Sequence, residues 1–250
     1  MFVETAVKNI AVEAILANAK SESLQTMYDC VVGGFHNSPS GASPDKKRKL
    51  QQAKLNLQNS IQSSIAKECR RGNPKITHFY DNANHVGVPV WALFEIMTMG
   101  DFGFLLSCLT YVVRDDISRR ISLNLVCDTD RQLVYKYIYM LKDLRNAIAH
   151  NAVVFDTHFR SVDPNRAVKQ CLQQEIGLSY VNFKTIGDYI ILLCYYYLKI
   201  LHVPKIEIGA FLREFEKITT NYIRSVNPAV AVIVIHRDLS ARMTALKMYT

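Results

Sequence analysis

The chain has 250 residues, 49% of them hydrophobic and 21% charged, the composition of an ordinary globular protein with enough apolar mass for a sizeable core. Thirty Lys and Arg against 22 Asp and Glu leave a formal charge of +8, which either attracts a polyanion (RNA, DNA or an anionic membrane) or marks a basic surface without a partner. The six cysteines, at 30, 69, 108, 127, 171 and 194, make no C-x-x-C pair and no zinc-type cluster with histidine; those in apolar runs, such as Cys108 and Cys194, read as buried hydrophobes in a reducing cytosol, not as a disulfide framework.

Helix-period patterns dominate, and no repeat or long low-complexity stretch interrupts them. The first twenty residues carry Glu4, Lys8 and Glu13 inside an apolar run, which reads as an amphipathic helix over 3–19 and not as a signal peptide. A weaker segment covers 22–32. The stretch GGFHNSPSGASPDKKRK (33–49) collects Gly, Ser and Pro and ends in Lys46, Lys47, Arg48 and Lys49, the composition of a flexible basic loop. A Gln-rich helix with a thin apolar stripe then runs over 50–69. Arg70, Arg71, Gly72, Asn73 and Pro74 end it. Pro89 is placed to start the helix VWALFEIMTM, which Gly100 breaks, and Asp101 is placed to cap FGFLLSCLTYVV. A short helix is expected near 116–125. Asp130 then precedes a long helix whose apolar stripe is Leu133, Tyr137, Met140, Leu144 and Ile148. Further helices are expected near 165–175, 183–201 and 206–225, and VAVIVIH (230–236) reads as a strand or buried extended segment. The most apolar run, Tyr189 to Leu198, is too short to span a bilayer.

Chemistry concentrates in LRNAIAHN, where Arg145, Asn146 and His150 form R-N-x-x-x-H. Metal-independent cleavage of RNA needs a base for the 2′-hydroxyl proton and a cation for the charge that builds on phosphorus. Histidine suits the first task because an unperturbed imidazole titrates near ~6.5. Arginine suits the second with its permanent, forked charge. Asn146 would orient one of them. On an ideal helix Asn146 and His150 lie about 40° apart, whereas Arg145 and His150 lie about 140° apart. Such a site is therefore built at a helix end or across a dimer interface. Arg and His near a helix C-terminus are also favoured by the macrodipole alone, so a purely structural helix end is the competing reading.

Two motifs in order carry a family resemblance. The first is VPVWALFEIMTMG, with Pro89, Trp91, Glu95 and Gly100; the second is L-R-N-x-x-x-H at Leu144 to His150. In this arrangement the chain resembles the Abi-like (abortive infection, AbiD/AbiF type) proteins of the HEPN superfamily, over roughly residues 50–160. It departs from the pattern after His150, where Asn151 and VVFD follow. The resemblance implies an all-α, HEPN-like helical bundle with extra N- and C-terminal helices. It divides the chain into an N-terminal helical segment and basic loop (1–49), an Abi core (50–225) and a C-terminal extension (226–250). It further implies a cytoplasmic homodimer, off the membrane, that faces RNA. The expected activity is metal-independent endoribonuclease cleavage leaving a cyclic phosphate, with no cofactor and no metal, in antiphage growth arrest. A small structured RNA or an antitoxin is the further partner it suggests. A non-catalytic module that holds structured RNA or a protein is the alternative.

The remaining motifs take ordinary readings. Asp101-Phe102-Gly103 and His236-Arg237-Asp238 imitate kinase motifs in the wrong order and without the metal-binding Asn. Lys46–Lys49, Arg70 and Arg71 are candidate RNA-phosphate contacts or a solvated loop and helix end. Tyr195, Tyr196 and Tyr197 lie on a helix apolar nearly all round and are read as core. Glu95, four residues from Trp91 on one helix, is read as a buried, hydrogen-bonded structural group.

Overall fold

The computed structural model describes residues 2–81, 87–150, 166–178, 180–181, 183, 186–226 and 239–249. Every regular element among them is helical, with only two isolated bridges, Ser23 with Pro89 and Val32 with Leu109. The protein is all-α, as the periodicity predicts. In chain order the helices are α1 (Phe2–Ala19), α2 (Leu24–Cys30), α3 (Pro44–Arg70), α4 (Pro74–Thr77), α5 (Val90–Ile96), α6 (Met99–Cys108), α7 (Tyr111–Arg120), α8 (Leu133–Ala149), α9 (Arg166–Ile176), α10 (Ile186–Lys199), α11 (Lys205–Ser225) and α12 (Leu239–Tyr249). None of these helices is long and apolar enough to cross a membrane. The anticipated extended segment at 230–236 lies outside the described residues, and α12 was not foreseen.

The helices divide between two compact units. One comprises Glu4–Ile121 and Asp130–Tyr135; the other comprises Met1–Val3, Ser122–Thr129 and Lys136–Thr250. The first unit is organised by α3, which packs against α4, α5 and α6. Its buried residues Leu57, Ile61 and Ile65 recur every four positions on one face, so a thin apolar stripe suffices when the opposite face stays in water. The second unit packs α10 on α11, α11 on α12 and α12 on α9. Its centre holds the rings of Tyr137, Tyr189, Tyr195 and Tyr196, all fully buried. Tyr137 meets Tyr196 edge-on at 5.3 Å between centroids. The core reading of Tyr195 and Tyr196 holds, while Tyr197 is half-buried.

Several boundaries move, each for a local reason. α3 begins at Pro44, not at Leu50, because Ser43 caps it: its hydroxyl accepts from Lys46 N at 3.3 Å, with Pro44 in the first turn and Asp45 at the positive end of the dipole. Lys46–Lys49 are therefore helical and do not belong to a loop. The break after α5 falls at Met97–Thr98 and not at Gly100. Thr98 is the cap of α6: its hydroxyl accepts from Asp101 N at 3.2 Å and donates to the Asp101 carboxylate at 2.6 Å. Gly100 thus lies within the first turn of α6. Asp101 is the residue that answers the cap instead of being it. Asp101 also accepts from Ser60 Oγ at 2.9 Å, which fastens α6 to α3. Asp101-Phe102-Gly103 is helical with Phe102 buried, unlike a kinase loop. Pro89 caps α5 from outside its first turn, and the short helix expected at 116–125 forms earlier, over Tyr111–Arg120. The end of α3 matches expectation: Gly72 adopts φ +66°, and its N–H and that of Asn73 return to the carbonyls of Cys69 and Glu68.

Cys108, Cys171 and Cys194 are buried and free, and burial raises their thiols to about 11, about 12 and about 12. Cys30 is exposed.

Candidate functional site

The site begins with the way α8 ends. Leu133, Tyr137, Met140 and Leu144 are buried, as their spacing demands, but the next member of the stripe, Ile148, is 57% exposed. The apolar stripe outruns the core. From Arg145 onward the helix end is open to solvent, with Arg145, Ile148, Ala149 and His150 exposed and Asn146 half-buried. The backbone N–H of His150 donates to the Asn146 carbonyl at 3.0 Å, so the chain keeps its helical course one residue past Ala149.

That course decides which groups meet. Arg145 Nη1 donates to Asn146 Oδ1 at 3.2 Å. Asn146 thereby orients the guanidinium, and among the described residues no hydrogen bond joins it to the imidazole. With the helical path unbroken to position 150, Arg145 and His150 stay about 140° apart around the axis, so one chain does not bring them to one face. Ile148, three residues past Arg145, lies on the arginine's side. The imidazole is not buried among apolar groups.

The other singled-out residues lie in the unit organised by α3. Lys46, Arg48 and Lys49 are exposed on the first turns of α3 and Lys47 is half-buried, its ammonium 5.5 Å from the exposed Phe35 ring. Arg48 pairs with Asp45 at 3.2 Å. Arg70 and Arg71 are exposed at the opposite end of the same helix, and Arg71 pairs with Glu68 at 3.0 Å. The two basic clusters, which the sequence reading assigns to a loop and to a helix end, are thus the two ends of one rod. Lys67, missed by that reading, stands exposed one turn before Arg70; its i−3 relation to Arg70 was the available signal.

Trp91 is 43% exposed, donates from Nε1 to Glu22 at 3.1 Å and meets Phe79 edge-on at 5.6 Å. Glu95 corrects an expectation: it is not buried but half-exposed, in an ion pair with Lys75 Nζ at 2.6 Å. Trp91 and Glu95 thus tie α5 to Glu22 and, through Lys75, to α4. His236-Arg237-Asp238 lies outside the described residues.

Comparison with known proteins adds one match. The family model described as Abi-like protein matches residues 3–156, more than half of the 250-residue chain and all of the Arg145–His150 segment. No curated protein and no solved structure matches the chain.

Proposed function

The chain belongs to the Abi-like protein family, and we propose that it is an abortive-infection effector of the HEPN type that cuts RNA without a metal, as a homodimer. The observation that carries this reading is the open end of α8: an exposed imidazole, an exposed guanidinium held by Asn146, and an exposed Ile148 that ends an otherwise buried stripe. A second copy covering Ile148 supplies its own His150 beside the first copy's Arg145, which resolves the 140° separation within one helix. His150 then takes the proton of a 2′-hydroxyl. The 2′-oxygen attacks phosphorus, Arg145 neutralises the equatorial oxygens, and the 5′-oxygen leaves with a proton from solvent. The products are a 2′,3′-cyclic phosphate and a 5′-hydroxyl end.

The test is cleavage of structured RNA by the purified protein. Arg145→Ala and His150→Ala each lower the rate by about 10²–10⁴-fold and abolish toxicity on expression, with an unchanged circular dichroism spectrum. Undiminished cutting in both variants overturns the enzyme reading. RNA that co-purifies, shifts in a gel and stays whole in wild type favours the alternative, a module that holds RNA with the same residues.

A further inference from the structure

The solvent face of α3 differs from an ordinary solvated helix face. From Lys49 its exposed positions step through Gln52, Asn56, Asn59 and Ser63 to Lys67 and Arg70, every three or four residues. On a helix these fall within an arc of about 80°, opposite the buried Leu57, Ile61 and Ile65. Solvated helix faces ordinarily intersperse acids with bases and pair them at i and i+4. Here Lys46, Lys49, Lys67 and Arg70 form no ion pair among the described residues, and the acid exposed on α3, Asp45, is engaged by Arg48. Between the two cationic ends this arc carries the uncharged hydrogen-bonding side chains Gln52, Asn56, Asn59 and Ser63, with exposed Leu55 and Ala66 at its margin.

Resting on the RNA-directed reading above, we propose that this stripe docks the phosphate backbone of double-helical RNA, with the two ends of α3 on phosphates about one turn apart. Three features select a duplex. Lys49 and Arg70 are roughly 30 Å apart along the helix, at 1.5 Å per residue, close to the axial length of one turn of an A-form RNA duplex, on the order of 30 Å. The stripe carries no aromatic ring, whereas single-strand sites stack bases on aromatics. Amides and a hydroxyl midway suit the 2′-hydroxyls and phosphates through which duplex RNA is recognised by shape.

The experiment uses the full chain carrying His150→Ala, so that RNA stays intact, and fluorescence anisotropy with RNA duplexes of about half, one and two turns. Binding is expected to strengthen at least ~10-fold when the duplex reaches one turn. Lys49→Glu, Lys67→Glu and Arg70→Glu together flatten the slope of log K against log salt by about 2–3. Lys49→Arg with Lys67→Arg retains binding, and circular dichroism stays that of the parent because the stripe is exposed. Equal binding by the triple variant, indifference to duplex length, or preference for single strands or for phosphatidylserine vesicles overturns the proposal. The nuclease reading fails separately: a wild-type protein that never cuts, beside a His150→Ala chain that binds with the expected length dependence, removes that reading and leaves this one standing.

Discussion

In the unit organised by α3 the ion pairs range from the surface, as Lys75 with Glu95, to partly covered, as Lys8 with Glu4 and Arg131 with Asp115, but all of these keep some contact with water. In the unit of α9–α12, Asp188 and Arg242 pair with side chains 1% and 4% exposed, and the second Asp188 oxygen accepts from Phe183 N at 2.8 Å. That second unit also buries Asp128 and Thr219, together with the phenols of Tyr137, Tyr189, Tyr195 and Tyr196. The difference is one of cost. A surface pair exchanges water for a partner at little gain and leaves its helix face available to a ligand. A buried pair must recover a large desolvation penalty through geometry, and removing either member strands the other. Both units carry surface pairs, such as Lys75 with Glu95 in one and Lys217 with Glu214 in the other; the α3 unit keeps the long polar face of α3 in water, whereas the α9–α12 unit holds the Asp188–Arg242 pair deep in its interior.

The contrast is most sharply broken or upheld at Asp188. Asp188→Ala should cost about 3–5 kcal/mol by removing the buried carboxylate that Arg242 pairs with, against less than about 1 kcal/mol for Glu95→Ala. Urea unfolding of the two variants measures both, and equal losses would erase the distinction.

Alkaline pH gives the next effect. Burial raises Cys171 and Cys194 to about 12 and Cys108 to about 11, while an unfolded thiol ionises near ~8.5. The folded state therefore holds these protons longer than the unfolded one. Their contribution to stability is complete below the unfolded value and is lost as pH climbs through 11 and 12. Denaturation midpoints should fall above pH ~9. At milder pH a thiol reagent should modify exposed Cys30 and spare these three; prompt labelling of all of them in the native protein contradicts the burial.

The smallest effect has the opposite sign. The Tyr196 hydroxyl is buried with no hydrogen-bond partner among the described residues. Tyr196→Phe keeps the ring and removes the unsatisfied group, so it should leave stability unchanged or raise it by about 1 kcal/mol, or about 2–4 °C in Tm. A marked loss would reveal a partner such as a buried water.

Much of the fold was legible because helix signals are local. The stripes Leu133–Tyr137–Met140–Leu144 and Leu57–Ile61–Ile65 announce their helices by period alone, and Gly72 with Pro74 announces where one stops. The errors arose where a cap outweighs composition. Ser43 with Pro44 starts α3 inside a Gly- and Ser-rich stretch, and Thr98 makes Gly100 a first-turn residue and not a break. The family, too, was legible from Pro89–Gly100 followed by Leu144–His150.

What the sequence alone determined is the helical class and the family, since these depend on residue type and spacing along one chain. Exposure was decided only by the tertiary structure. Ile148 continues a stripe that is buried up to Leu144 yet stands open, Glu95 meets Lys75 across 20 residues of chain, and Lys49, Lys67 and Arg70 share one open face. Period tells which residues lie on the same side of a helix; only packing tells which side another helix covers.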